Sequence, residues 1–291
     1  MRLTKSDVRE VAAARGWTIV RRCPSCEHER WRPVLRTDRD CCLAECDSCG
    51  LVFLNPRPPR EADESGYAAD HADSLIPRLV ERGLLTEDLT PVADRLLQRY
   101  EKLIELTRRL EPTQPVLDLG CGIGTSTLAL RAAGIDAVGM EIDPGFVAAA
   151  RSRLGLDVRQ GDVLQPLAAR HPIATLNSVL EHIDDPVGFL AAIRTNALSP
   201  NGALVLTVPN LASTEFVEHG IAWRIIQPQH VTYFTEATLV ATAERAGFLV
   251  EHVWEPPAQP RPNNPAELWA RIGLNHRGNV TGGIGMILRS P

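Results

Sequence analysis

Apolar and polar positions along this chain switch between two periods, and the switch predicts where strands and helices lie. From residue 115 onward, short apolar runs of strand type alternate with segments whose apolar residues recur every three or four positions. The predicted strands are 115–120, 136–142, 156–162, a segment beginning at 173, 202–210, 249–254 and 284–289. The predicted helices are 125–134, 144–155, 185–198 and 235–248. Repeated strand–helix alternation predicts an α/β fold with parallel strands.

The residues before this alternation follow other patterns. Residues 1–20 are predicted to form a short amphipathic lead-in. The segment 21–60 is rich in cysteine and ends in the run NPRPP, which indicates a boundary. Apolar residues at helical spacing predict a helix over 91–112, with a proline at each end. We therefore predict three units: a small head at 1–60, a helical lid or linker at 61–112, and the α/β domain at 113–291.

Composition narrows the classes of function. Hydrophobic residues make up 44% of the 291 positions, which is enough for one substantial core and a small satellite. No run of eighteen apolar residues occurs and the N-terminus lacks the apolar core of a secretory signal, so we expect a cytoplasmic location and no membrane partner. The net charge of −5 divides into +4 over 1–60 and −9 over the remainder, a poor distribution for binding nucleic acid.

The cysteines point to a metal. Six of the seven lie between Cys23 and Cys49, and such clustering in a cytosolic chain indicates metal binding rather than disulfides. The spacing C-x2-C followed by C-x2-C predicts a tetrahedral zinc site with the ligands Cys23, Cys26, Cys46 and Cys49. Four sulfur ligands leave no open position, so the predicted zinc is structural. Cys41 and Cys42 are surplus to this set, although either could replace a ligand.

A glycine-rich turn follows the first predicted strand of the α/β region. Gly120, Gly122 and Gly124 stand where the strand becomes a helix, a place that suits close approach of backbone to a ligand. The spacing is GxGxG, which disfavours NAD as the cofactor because dinucleotide sites use GxGxxG. Asp118 precedes the turn, and Glu141 ends the next strand, where a carboxylate can hold both hydroxyls of a ribose.

These motifs resemble the class I S-adenosylmethionine-dependent methyltransferases over roughly residues 113–255. The runs DLGCGIG, GMEID, GD and VLEHIDDP carry the resemblance, in that order. It implies a Rossmann-like seven-stranded sheet with the cofactor over the carboxyl ends of the strands. It also implies that Glu141 holds the ribose and Asp162 the adenine, with Cys121 as a small filler. The implied cofactor-binding set, including a tyrosine of the lid, is Tyr67, Asp118, Gly120, Cys121, Gly122, Gly124, Glu141, Ile142, Asp162, Val163 and Asn177.

The head carries a second resemblance. The run CDSCGLVFLNPRP, at 46–58, is similar to the zinc ribbon that precedes many class I small-molecule methyltransferases, among them the sugar C-methyltransferases of antibiotic pathways. Zinc-headed guanine methyltransferases of ribosomal RNA are a second group with such a head. The resemblance implies an enzyme with a structural Zn²⁺ that methylates an O, N or C atom of a secondary metabolite.

Two histidines are candidates for the base that deprotonates the acceptor, because imidazole titrates near neutral pH. His182 directly follows the fourth predicted strand, and His230 lies in the long segment after the fifth. The resembling families also show a histidine before an aromatic–Phe pair there, which Tyr233 and Phe234 match. Alternatively, His182 orders the following helix and His230 anchors its loop. Glu181 is expected to orient His182 or to contact the cofactor's amino group.

Other functions remain open from the sequence. Ribosomal or transfer RNA methylation would use the ribbon as an RNA grip, although the acidic body and an aromatic content of 5% argue against it. A non-enzymatic scaffold would use the ribbon to dock a carrier protein or another partner. The ribbon or the proline-rich segment 256–265, a predicted loop, could also mediate a homodimer.

Overall fold

A computed structural model of the protein describes residues 3–37, 41–59, 70–254 and 283–291. The strands in these residues are β1 (Trp31–Arg36), β2 (Cys42–Cys46), β3 (Val52–Leu54), β4 (Val116–Leu119), β5 (Ala137–Glu141), β6 (Val158–Gln160), β7 (His171–Asn177), β8 (Leu198–Pro209), β9 (Thr232–Tyr233), β10 (Leu249–Val253) and β11 (Gly283–Arg289). The predicted loop at 256–265 lies outside the described residues.

The α-helices of the same residues are α1 (Lys5–Arg15), α2 (Asp70–Glu81), α3 (Ala93–Arg99), α4 (Glu101–Arg108), α5 (Thr125–Ala132), α6 (Pro144–Leu154), α7 (Pro186–Ala192), α8 (Thr214–His219) and α9 (Glu236–Arg245). A 3₁₀ turn spans Leu180–His182 and a π turn spans Ile193–Ala197. No helix among the described residues is both long and apolar enough to cross a membrane.

The larger sheet has seven strands in the order β10-β11-β8-β7-β4-β5-β6. Its central strands β4, β5, β7 and β8 are buried and run parallel, as a sheet covered by helices on both faces requires. The predicted α/β fold with a seven-stranded sheet is therefore confirmed. The last strand, β11, lies outside the strand–helix alternation and runs antiparallel to β8 and β10. A parallel neighbour needs a crossover connection, usually helical, whereas a loop was predicted before β11.

The helix predicted over 91–112 is also different in the structure. Tyr100 leaves the helical region with φ −107° and ψ 17°, and divides the segment into α3 and α4. Its hydroxyl lies 2.6 Å from Thr125 Oγ1, at the first residue of α5. Helical periodicity predicts which face of such a segment is apolar. It does not predict the break at Tyr100, where the side chain bonds to a residue of another helix.

The cysteine-rich head and the α/β region share a sheet and a core. The smaller sheet has the order β1-β2-β3-β9, and its last strand comes from the α/β region. Val52 pairs with Tyr233 and Phe53 with Thr232 in this antiparallel contact. One hydrophobic cluster includes both Phe53 of the head and Leu204 of the large sheet. The division at residue 60 stays a prediction, but the small sheet extends across it.

Candidate active site

The parallel strands bring the predicted cofactor residues to one edge of the large sheet. Leu119, near the end of β4, is level with Met140 of β5 and Leu176 of β7. The segments that follow these strands therefore emerge side by side at the carboxyl edge. This is where ligands bind in open α/β sheets.

The turn at 120–124 adopts a conformation that requires glycine. Gly120, Gly122 and Gly124 have φ angles of 61°, 55° and 91°. A β-carbon at Gly120 would lie 2.8 Å from Val179 Cγ2, and one at Gly124 would collide with Leu156. A β-carbon at Gly122 would meet no atom within 4 Å. The outer two glycines thus permit close packing, and the central one faces open space where a ligand can approach.

Glu141 lies against this turn rather than in solvent. Its Oε2 accepts a hydrogen bond of 2.8 Å from the N–H of Gly122, and its Oε1 accepts bonds from the N–H groups of Ile142 and Asp143. The residue is only 9% exposed. A carboxylate can accept about four hydrogen bonds, so capacity remains for a hydroxyl donor. We call Glu141 together with the turn at 120–124 the cofactor edge.

Other predicted cofactor residues flank this edge. Ile142 is 62% exposed, unusual for a large apolar side chain and suited to covering a flat ring. Asp162 Oδ1 accepts the N–H of Leu164 at 2.9 Å, which fixes the turn after β6, and Val163 is buried there. Asn177 ends β7 and accepts a 2.6 Å bond from the Thr207 hydroxyl. Their contacts with the cofactor stay predictions.

Two residues of the predicted cofactor set, Asp118 and Cys121, lie beneath the turn. Asp118 is fully buried and accepts hydrogen bonds from the hydroxyls of Ser126, Thr127 and Thr175. It therefore fixes the turn from below, and the geometry does not support direct contact with a ligand. The Cys121 thiol packs beneath the turn against Gly139, and burial raises its pKa. That position supports the filler role and not a reactive thiol.

Tyr67, the predicted lid residue, lies outside the described residues. Its role stays a prediction.

His182 and His230, predicted from distant parts of the sequence, do come together. Their rings are perpendicular, with centroids 4.6 Å apart. Glu181 joins them, since one potential ligand atom from each of the three residues lies within 4.8 Å of the others. We call Glu181, His182 and His230 the Glu–His–His cluster. Glu181 and His182 belong to the 3₁₀ turn that follows β7, so the cluster stands close to the carboxyl edge.

Burial controls the charges of this cluster. Desolvation raises the pKa of Glu181 to about 8 and lowers that of His230 to about 3. Desolvation also lowers the pKa of His182, partly opposed by its bond to the Gln229 carbonyl. Both imidazoles are therefore neutral near pH 7, which lets them accept a proton but makes His230 a weak base.

Sequence reasoning missed Arg57, which connects the head to this cluster. Its guanidinium lies 2.7 Å from Asp184 Oδ1 and also donates to the carbonyl of Val231. Val231 in turn donates its N–H to the Glu181 carbonyl at 2.8 Å. Arg57 stands between two prolines of NPRPP, and its side chain is 10% exposed. The sequence signal that could have identified it is an arginine three positions after a buried strand, where a charged side chain needs a partner.

The four predicted zinc ligands also come together. The sulfurs of Cys23 and Cys49 lie 3.5 Å apart, as do those of Cys26 and Cys46, and all four fall within 4.8 Å of one another. Tetrahedral zinc with bonds of about 2.3 Å would space its sulfurs by about 3.8 Å. Burial raises the pKa of Cys46, so a thiolate at that position needs a nearby cation. The donor set therefore fits Zn²⁺, and Cys41 and Cys42 are outside it.

Comparison with known proteins extends these findings. A family model described as "Methyltransferase domain" matches residues 92–253, more than half of the chain. The ubiquinone biosynthesis O-methyltransferase of Azorhizobium caulinodans is 28% identical over 148 residues, covering 46% of this chain and 58% of that protein. The ribosomal protein L11 methyltransferase of Burkholderia thailandensis is 31% identical over 104 residues, covering 35% and 34%. The chain thus spans between a third and three fifths of these relatives.

Solved structures also match the chain, at lower sequence identity. A methyltransferase of Thermotoga maritima, described as S-adenosylmethionine-dependent and as a possible histamine N-methyltransferase, matches with a TM-score of 0.48 at 15% identity. The match covers 77% of this chain and 99% of that one.

Proposed function

The chain belongs to the methyltransferase-domain family and is a class I S-adenosylmethionine-dependent methyltransferase, and on that premise we propose that it methylates an O, N or C atom of a small-molecule acceptor. The observation that carries the proposal is the position of Glu141 under Gly122. A carboxylate held there by three backbone N–H groups stands beside the open face of the turn and can receive the hydroxyls of a ribose.

The chain's own residues have a limited chemical task. The cofactor supplies a methyl group already activated by the sulfonium charge. The protein therefore mainly aligns the acceptor and excludes water, and an O–H or C–H acceptor additionally needs a base. The Glu–His–His cluster is the proposed place where the acceptor loses its proton. His182 is the stronger of the two proposed bases, because burial depresses the pKa of His230 to about 3.

Cofactor binding can be tested by isothermal titration with S-adenosylmethionine, S-adenosylhomocysteine and NAD⁺. We expect the two adenosyl ligands to bind and NAD⁺ not to bind. Glu141→Gln should weaken adenosyl binding by about 10-fold or more, because it removes the charge that receives the ribose. The control is Asp136→Asn, at the opposite end of β5, which should bind as the wild type does. Equal affinity in Glu141→Gln would refute the proposed role of Glu141.

The acceptor class can be tested with S-adenosylmethionine carrying a labelled methyl group. The protein is incubated with a small-molecule extract and, separately, with total RNA, and the label is followed into each fraction. We expect the label in the small molecules, with His230→Ala losing transfer while keeping cofactor affinity. Label in RNA would overturn the small-molecule proposal, and equal loss of transfer and cofactor affinity would remove His230 from its acceptor-side role.

We also propose one structural zinc per chain, held by the four cysteines. Their spacing and convergence support it, together with the small size of the head, which has little core of its own. Metal analysis of carefully prepared protein should give one zinc, lost in Cys23→Ser. Clearly substoichiometric zinc in folded wild-type protein would contradict the proposal. The same cysteine spacing supports a cytoplasmic location, where thiols stay reduced.

One observation favours the alternative, methylation of ribosomal or transfer RNA. A cleft of about 500 Å³ on the head is lined by Lys5, Arg9, Arg21, Arg22 and Trp31, with Ile19 and Glu29. Arg22 already pairs with Glu29 at 3.0 Å, which lowers the cleft's net positive charge. RNA recognition by this cleft predicts affinity that falls steeply with salt and is weakened by Arg9→Ala and Arg21→Ala. RNA binding that is weak and unchanged by these substitutions would exclude RNA recognition by this cleft.

A further inference from the structure

The Glu–His–His cluster contains buried polar atoms that lack partners. Glu181 Oε2 and His230 Nδ1 make no hydrogen bond of ordinary length and angle, although the backbone of Ile225 lies near the His230 ring, and His252 Nε2 is the third such side-chain atom in the part of the chain that the structure describes. Glu181 is 2% exposed and His230 is 6% exposed. A buried polar group without a partner destabilises the folded state. Two of them in one cluster indicate an occupant that satisfies both.

The imidazoles are oriented as metal ligands are. His182 Nδ1 lies 2.9 Å from the Gln229 carbonyl oxygen, so Nδ1 carries the proton and Nε2 keeps its lone pair. His230 Nε2 lies 2.9 Å from the side-chain amide of Gln227. Turning that amide by 180° exchanges its oxygen for its nitrogen, and the oxygen then accepts Nε2–H and leaves the Nδ1 lone pair free. Metal-bound histidines usually donate their other N–H to an oxygen in this way.

The backbone holds the three residues in place. Val231 N–H donates to the Glu181 carbonyl, and the Thr232 hydroxyl donates to the Leu180 carbonyl at 3.3 Å. These bonds join the loop of His230 to the turn of Glu181 and His182. A site fixed by its own backbone loses little entropy when an ion binds.

We propose that Glu181, His182 and His230 form a divalent metal site, separate from the four cysteines, with two imidazole nitrogens, one carboxylate oxygen and open coordination positions. This donor set suits Zn²⁺, Mn²⁺ or Fe²⁺ rather than Mg²⁺ or Ca²⁺, which prefer oxygen ligands. Three protein ligands leave room for a further ligand, unlike the closed four-cysteine set.

The position of the site identifies a class of acceptor. If the methyl acceptor docks at the cluster, which rests on the proposed function, the open positions would receive an oxygen of that acceptor. The metal would then replace the imidazoles by lowering the pKa of the acceptor, because it occupies the lone pairs with which they would act as bases. The site therefore favours hydroxyl-bearing acceptors over amines or carbon acids. The metal site itself does not depend on this assignment.

Manganese binding to the full-length protein tests the site. Protein with zinc in the cysteines is dialysed against a weak chelator, and Mn²⁺ is then titrated while the electron paramagnetic resonance signal of free Mn²⁺ is followed. We expect the wild type to bind one Mn²⁺. Glu181→Gln and His230→Gln, which are close in shape to the native residues, should lose that binding.

Two further variants separate ligation from a general effect on the fold. Gln227→Leu removes only the proposed partner of His230 Nε2 and should weaken Mn²⁺ binding by about 10–100-fold. His252→Gln changes a half-buried histidine outside the cluster and should bind Mn²⁺ as the wild type does. Circular dichroism confirms folding of each variant, and zinc retained by the cysteines reports on the head.

The results have distinct meanings. Absence of Mn²⁺ binding to folded wild type, or binding that survives in both ligand variants, overturns the metal site. A proton or water shared by Glu181 and His230 would then fill the cluster. The adenosyl titration described above is read independently, because His230→Gln leaves the cofactor edge intact. A failed metal site with intact cofactor binding thus leaves the proposed methyl transfer standing.

Discussion

The cofactor edge and the Glu–His–His cluster lie near the same edge of the large sheet, but they are built differently. The cofactor edge uses segments only 19 residues apart, and the Glu141 carboxylate is satisfied by three backbone N–H groups. The Glu–His–His cluster joins segments separated by 47 residues, is clamped by Arg57 from the head, and contains two unpaired buried atoms. The carboxylate of the first is already satisfied by the backbone, whereas the second contacts the head and keeps two buried polar atoms without partners.

Loss of the zinc proposed for the head is the strongest test of this difference. Cys46→Ser should abolish zinc binding and disorder the head, because structural zinc contributes about 10–16 kcal/mol in small ribbons. Methyl transfer should then fall by about 100-fold or more, since displacement of the acceptor side by about 1 Å has that effect. Adenosyl affinity measured by titration should change by less than about threefold, because Glu141 is held by the N–H groups of residues 122, 142 and 143, all of them outside the head.

Cys41→Ala is the control for this experiment. Cys41 is buried in the head but lies outside the four-cysteine set, so zinc should be retained. If Cys46→Ser lost adenosyl binding and methyl transfer equally, the two halves of the site would not be separable.

Removal of the connection between head and cluster should have a smaller effect. Arg57→Met breaks the contacts to Asp184 and Val231 and should cost about 1–3 kcal/mol of unfolding free energy in urea. Zinc should stay bound while Mn²⁺ binding and methyl transfer decrease. Arg109→Met is the matched control, because Arg109 pairs with Glu105 and about half of each side chain is exposed. It should cost less than about 1 kcal/mol of unfolding free energy. If both variants lost the same stability, Arg57 would contribute no more than an exposed ion pair does.

A single added methyl group tests the cofactor edge alone. Gly122→Ala and Gly155→Ala place alanine at nearly the same left-handed φ, 55° and 61°, and neither β-carbon meets an atom within 4 Å. Both should cost about 1–2 kcal/mol of stability. Only Gly122→Ala should weaken adenosyl binding, because Gly155 caps α6 away from the edge. Similar titrations for both variants would remove Gly122 from the cofactor site.

The last comparison concerns Lys102, a partly buried lysine of α4 that packs against the β11 side of the large sheet. Burial lowers the pKa of Lys102 to about 8, where its ammonium lies over the Trp254 ring and donates to the Gly283 carbonyl. The unfolded chain therefore binds more protons than the folded one between pH 8 and about 10.5, so stability should rise with pH across that window.

Lys102→Met should remove this rise, as measured by urea unfolding at pH values below and above 8. The chain contains only one other lysine, and Lys5→Met should keep the rise. A rise that persists in Lys102→Met would assign it to other groups.

The difference between the cofactor edge and the Glu–His–His cluster also explains which features the sequence could predict. The GxGxG turn, Glu141 and the four cysteines are signalled by short spacings, because one turn or one knuckle brings their atoms together. The reversed β11, the break at Tyr100 and the role of Arg57 depend on partners far along the chain. His182 and His230 could be singled out as candidate residues, but their contact with each other and with the buried Glu181 required the fold. Asp118 shows that a short motif can identify a residue without giving its role. It belongs to the motif of the turn, but its carboxylate is buried and supports the turn from the interior.

The two-residue pairing of β9 with β3 limits how this architecture can be recombined. A chimera that exchanged the first 59 residues for another ribbon would have to preserve the contacts of Val52 with Tyr233 and of Phe53 with Thr232. Otherwise the loop that carries His230 would lose its neighbour. We therefore expect heads and catalytic regions of this kind to be inherited as matched pairs rather than as interchangeable modules.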